Sequence, residues 1–111
     1  MKFLTIGKFK DVGLTIPPAL TRQLLEASVS IANQQKKEGK ILEFYWIPGA
    51  ATYVTIGECK TAEEMVKDFN AVPISAYMGY EIYPLADYNE SMKIIIERLK
   101  QTEKMMPNAP R

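Results

Sequence analysis

The chain has no histidine and a single cysteine among its 111 residues. Without imidazole there are no histidine metal ligands, no histidine-dependent triads and no ordinary proton shuttle near neutral pH. The lone thiol, Cys59, offers no thiolate cluster and no internal disulfide, which predicts a cytoplasmic setting. An excess of either charge is missing too: 14 Lys and Arg stand against 13 Asp and Glu, for a net charge of +1. Neither a basic footprint for nucleic acid nor an acidic solvating tail follows from that balance. No apolar run approaches the roughly 20 residues of a membrane helix. The first residues lack the charged, hydrophobic and small-residue regions of a secretion leader. The expectations are therefore no nucleic acid, no membrane, no metal and no cofactor.

What remains is a composition of 47% hydrophobic and 24% charged residues, that of one globular domain with a modest core. The chain is organised around Gly39–Cys59, read as two strands flanking the Pro48-Gly49 turn signal. Before it, Lys2 to Phe9 reads as a strand. Pro17 and Pro18 then suit the start of a helix with Leu20, Leu24, Ala27, Ser28 and Ile31 in one stripe. Lys36, Lys37 and Gly39 end it. After the hairpin, Thr61-Ala62-Glu63-Glu64 is a capping box opening a short helix. Tyr77 to Pro84 reads as a fourth strand, and about Asn89 to Met105 as an amphipathic helix whose stripe needs a partner surface.

The order β-α-β-β-α-β-α predicts an α+β class: a ferredoxin-like βαββαβ domain with an additional C-terminal helix. Right-handed crossovers place the strands in the order four, one, three, two. Residues 1–105 form that single domain, and 106–111 are expected to be a disordered tail. Ile41 to Ile47 is apolar on both faces, so the sheet needs a second cover beyond its helices. The simplest cover is another copy of the sheet, giving a homodimer, or a higher multiple of dimers, with two sheets face to face.

Alternation assigns Leu4, Ile6, Leu42, Phe44, Val54, Ile56, Met78 and Ile82 to the helix side, as ordinary core residues. The other side then collects Phe3, Phe9 and a set with chemical character. Glu43 and Glu81 are its carboxylates. Tyr45, Tyr53, Tyr77 and Tyr83 are its phenols, Thr5 and Thr55 its hydroxyls, and Gly7, Gly57 and Gly79 its glycines. Glycines inside strands leave room, and tyrosines give apolar walls with polar tips, which is the makeup of a small-molecule pocket. The competing reading is a tyrosine-rich interface with no ligand.

The stretch from Gly39 through Ile82 resembles the muconolactone isomerase family, within the dimeric α/β-barrel superfamily. The residues that carry the likeness are Gly39, the strand end Ile47-Pro48-Gly49, Tyr53, and Pro73-Ile74-Ser75-Ala76-Tyr77-Met78 leading to Glu81. The resemblance implies two sheets paired as a dimeric α/β barrel. It also implies a double-bond shift in an unsaturated lactone or related carbonyl compound, made by proton removal and return. The family carries arginine and histidine where Leu42, Glu43, Trp46 and Ala50 stand here. A buried carboxylate on the ligand would lack its cation, so a small neutral or apolar ligand is expected.

In that scheme Glu43 and Glu81 move the proton, and tyrosines polarise the oxygen. The plainer readings are a solvated Glu43, or one paired with Lys2 or Lys40, and an ion-paired Glu81 at an interface. The alternative function is a non-catalytic small-molecule-binding or sensor module of the same barrel type.

Overall fold

The computed structural model describes residues 1–10 and 15–106. Strand β1 (Lys2–Phe9) leads to helix α1 (Pro18–Lys37). Then come β2 (Ile41–Ile47), β3 (Thr52–Glu58), α2 (Ala62–Asn70), a 3-10 segment (Pro73–Tyr77), β4 (Met78–Leu85) and α3 (Tyr88–Met105). The four strands form one antiparallel sheet in the order β2-β3-β1-β4, as the crossover rule requires. The 3-10 segment takes Tyr77 out of the fourth strand. The expected tail falls, beyond Met106, outside the described residues.

The element ends follow local chemistry. Pro17 and Pro18 open α1 without a side-chain cap, since the first N–H groups of a helix have no intrahelical acceptor anyway. It closes on Gly39 at φ +81°, where the Gly39 N–H donates to the Lys36 carbonyl and the Lys40 N–H to Gln35. That is a Schellman stop, and the positive φ is why glycine sits there. The Thr61 hydroxyl accepts from the Glu64 N–H at 3.1 Å, which is the first half of the capping box; the Glu64 carboxylate accepts from the Lys60 N–H, one residue before the cap, instead of from Thr61. Asp87 caps α3 by accepting from the Glu90 N–H.

Helix α3 leaves the sheet and stays uncovered. Its apolar stripe is solvent-facing, with Ile94 71% and Leu99 58% exposed. The molecule extends over 66 × 30 × 23 Å, with a radius of gyration of 19.6 Å against about 13 Å for a compact chain of this length.

Two rings decide which face of the sheet carries the helices. Phe3 of β1 meets Phe69 of α2 edge-on at 6.3 Å, and Phe69 lies 5.1 Å from Tyr80 of β4. The helix side therefore holds three rows across the strands: Ile41–Gly57–Phe3–Pro84, Phe44–Thr55–Thr5–Ile82 and Trp46–Tyr53–Gly7–Tyr80. A bulge at Leu42 shifts the register between Ile41 and Glu43, so Ile41 joins this side while Glu43 and Tyr45 do not.

For β1 and β3 this inverts the sequence assignment. Leu4, Ile6, Val54 and Ile56 point to the open face, and Phe3, Thr5, Gly7, Tyr53, Thr55 and Gly57 face the helices. The reason is packing of rings on glycines. The Tyr53 ring lies where a Gly7 Cβ would be, at 2.6 Å, and the Phe3 ring where a Gly57 Cβ would be, at 2.8 Å. These glycines leave no empty room; cross-strand aromatics fill it. Around Gly79 the space is open.

Gly57→Val is accordingly expected to lower stability by about 1–3 kcal/mol through collision with Phe3, whereas Gly79→Ala stays near wild type. Urea unfolding of both variants measures the contrast.

Candidate functional site

Helix α1 does not rest on the centre of the sheet. It packs on the 3-10 segment and on β2, and polar bonds tie it to its neighbours. The Ser28 hydroxyl donates to the Leu24 carbonyl at 2.6 Å and accepts from the Ile74 N–H at 3.0 Å. The Gln35 side-chain amide donates to the Asp68 carbonyl of α2 at 3.0 Å. Lys40 closes the group, its ammonium 3.0 Å from the Asp68 carboxylate. Both helices are thus held chiefly through the 3-10 segment, with α1 also resting on the edge strand β2.

Between them and the sheet lies a cavity of about 210 Å³. Its walls are Phe3, Phe69 and Met78 on one side, Phe44 and Trp46 toward the β2 edge, and Leu25 and Val29 of α1 above. Tyr53, Thr55 and Gln35 are polar residues of its lining, and the Lys40–Asp68 pair sits in the wall. A second pocket, lined by Asn70, Ser75 and Tyr80 among others, shares Phe69, Val72 and Met78 with the first.

Burial governs the electrostatics of the phenols at the site. Burial pushes the Tyr53 hydroxyl far above its ordinary 10.0, with Tyr80 adding to the effect. Burial also raises Tyr80, opposed by hydrogen bonding from the Tyr53 and Ser75 hydroxyls close by. Two buried hydroxyls, those of Thr5 and Tyr80, lack a partner in full hydrogen-bonding geometry. Among the described residues no group of three or more His, Cys, Asp or Glu side chains is placed to hold a metal ion. Among them too, no helix is long and apolar enough to cross a membrane.

A sequence profile described as muconolactone delta-isomerase matches residues 1–91. The chain belongs to the muconolactone delta-isomerase family. The crystal structure of muconolactone isomerase superposes with a TM-score of 0.70 at 21% identity, covering 79% of this chain and 91% of that one. At that identity the likeness is one of fold. No curated protein sequence matches the chain. The family match ends within the first turn of α3, so most of that helix lies beyond it.

Against this family background the sequence-chosen residues divide into two sets. Thr5, Gly7, Tyr53, Thr55 and Gly57 face the helices, and Tyr53, Thr55 and Gly57 line the cavity. Glu43, Tyr45, Gly79, Glu81 and Tyr83 face the open side, and Tyr77 sits in the 3-10 segment. On the open face each carboxylate holds a tyrosine: Tyr45 donates to Glu43 at 3.0 Å and Tyr83 to Glu81 at 2.9 Å. Those bonds raise both phenols. Lys40 pairs with Asp68 and Glu38 rather than with Glu43.

Sequence reasoning missed Asp68 and Gln35. Both had a helical signal: Asp68 lies three residues after Met65 on the buried side of α2, and Gln35 one turn beyond Ile31 on the stripe of α1.

The raised tyrosines give a pH signature. A phenol kept neutral by burial adds stability below its unfolded value, and that stability is lost as pH climbs above about 10. Tyr53→Phe is expected to flatten the alkaline fall in melting temperature, measured by calorimetry across that range.

Proposed function

We propose that this protein binds a small, neutral, mostly apolar carbonyl compound between its helices and its sheet, and shifts a double bond within it. The observation that carries the reading is the apolar cavity of about 210 Å³ with a neutral phenol, Tyr53, in its wall. Proton removal beside a carbonyl needs an acceptor for the proton and a donor to the oxygen where charge develops. Tyr53 is the donor. Asp68 is the carboxylate of the cavity wall and the acceptor on this reading. Among the described residues of the wall the one cation and the one anion are already paired, so a charged ligand would enter without a counter-ion.

Glu43 and Glu81 belong, in this proposal, to self-association. The open face carries two rows, Tyr45–Val54–Ile6–Glu81 and Glu43–Ile56–Leu4–Tyr83. Each is apolar in the middle, with a carboxylate at one edge and a phenol at the other. A two-fold axis between stacked sheets, along the strands or across them, sets carboxylate opposite phenol instead of carboxylate opposite carboxylate. The face is self-complementary, which supports a homodimer with paired sheets. Ile6→Glu is expected to convert it to monomer in sedimentation velocity.

The test of function is a panel of β,γ-unsaturated lactones and ketones, followed by proton NMR for the migrated double bond. Asp68→Asn is expected to lower turnover by about 10²–10⁴-fold, while Glu43→Gln and Glu81→Gln leave it within a few-fold. Loss of turnover in the glutamate variants, in place of Asp68→Asn, would move the chemistry to the open face.

A second reading rests on one observation: Asp68 is neutralised by Lys40 at 3.0 Å. A carboxylate whose role is to hold that ammonium serves the wall and not the chemistry, and the cavity would then be a binding module without turnover. Ligand affinity that survives Asp68→Asn, with no product from any of the panel, identifies that case.

A further inference from the structure

Across the sheet, Tyr53 of β3, Gly7 of β1 and Tyr80 of β4 stand in one row. The Tyr53 side chain lies over Gly7 with its far end toward that glycine: the closest atoms to a Gly7 Cβ would be Cε1 at 2.6 Å, Cζ at 2.7 Å and the hydroxyl oxygen at 3.0 Å. Any larger residue at position 7 would block this path. The ring thus crosses the central strand and meets Tyr80, with centroids 6.2 Å apart in an edge-on arrangement. Tyr53 lines the larger cavity, and Tyr80 lines the second pocket behind it. The Tyr80 hydroxyl is sealed from solvent and makes no full hydrogen bond, although the Tyr53 and Ser75 hydroxyls lie close by. A buried hydroxyl without a well-formed bond is unfavourable, so a rearrangement that gives it one is stabilising.

We infer that Tyr53 and Tyr80 form a two-hydroxyl relay that reads a carbonyl oxygen: Tyr53 donates to the ligand at the cavity wall, and Tyr80 donates to Tyr53 from behind. The inference rests on the cavity being the ligand site. Tyr80 is a positioning residue, since it touches Tyr53 and not the ligand. Donation from Tyr80 makes the Tyr53 hydroxyl a stronger donor, because linked hydrogen bonds polarise one another. An unliganded Tyr53 has little to gain from that bond, which accounts for its incomplete geometry here. The cation of the cavity wall, Lys40, is already paired with Asp68, so a carboxylate would enter without a counter-ion, and the class selected is a ketone, enone or lactone carbonyl. Gly7 is the structural requirement for the relay, because it lets the phenol pass over β1.

The experiment uses two probes of matched shape, cyclohex-2-enone and cyclohexene, titrated into the full chain by ligand-observed NMR. The wild type is expected to prefer the enone, and Tyr80→Phe to reduce that preference by about three- to tenfold, the worth of one net hydrogen bond. The infrared carbonyl band of bound enone is expected at lower frequency in the wild type than in the variant. The unliganded melting temperature of Tyr80→Phe should equal or exceed the wild type, since an unpartnered hydroxyl is removed. Equal binding of both probes by the wild type overturns the relay and leaves the cavity reading standing. Binding of neither overturns the cavity reading and the relay with it. A clear drop in the unliganded melting temperature of Tyr80→Phe also overturns the relay, because the hydroxyl then serves the fold.

Discussion

Two aromatic rings laid flat on two glycines set the geometry from which the rest of this molecule follows. Tyr53 covers Gly7 and Phe3 covers Gly57, each across a directly paired position of neighbouring strands. A ring lying along a sheet turns that surface into a shallow aromatic floor, where upright side chains would have interdigitated with a helix. Phe69 of α2 seats on the floor through Phe3 and Tyr80. Helix α1, with Ser28 and Gln35 rather than long aliphatics at its buried positions, bridges to the 3-10 segment and α2 instead of filling the gap beneath it. The cavity is the space that this arrangement leaves.

The same arrangement explains the small core. Among the described residues, the buried apolar side chains are Phe3, Cys59, Ile74 and Met78. Many other apolar groups remain on the surface of a single chain, along the open sheet face and along α3. On the proposed reading a second copy of the chain covers the open face. Its edge carboxylates each hold a phenol of the same chain. Helix α3 is a different case. It runs past the family match, with its own cap at Asp87, and beyond the half-buried Met92 its apolar residues Ile95, Ile96 and Leu99 are exposed.

How far the sequence could be read depended on the range of the interaction involved. The helix cap at Thr61, the Gly39 stop and the turn at Pro48-Gly49 are decided by a few adjacent residues, and each forms where the pattern places it. The Leu42 bulge and the departure of Tyr77 into a 3-10 turn were not legible, because a period of two looks the same on either side of an inserted residue. The division of the proposed site has another cause. Alternation says which residues share a face within a strand, but not which face meets the helices. In a sheet apolar on both sides, hydrophobicity cannot break that tie. Leu4 and Ile6 look more core-like than Thr5 and Gly7, yet Thr5 is the residue with no exposed surface.

The sequence by itself determined the elements, their order, the strand order and the absence of histidine chemistry, because periodicity, caps, crossover handedness and composition are local or global properties of the chain. The muconolactone delta-isomerase family was legible for the same reason, in short runs such as Pro73 to Met78. Only the tertiary structure decided that Tyr53 and Asp68 share a cavity while Glu43 and Glu81 share the opposite surface. That decision was made by contacts between residues far apart in the chain, a ring of β1 against a ring of α2 and a phenol of β3 lying over a glycine of β1. No spacing within any one element encodes them.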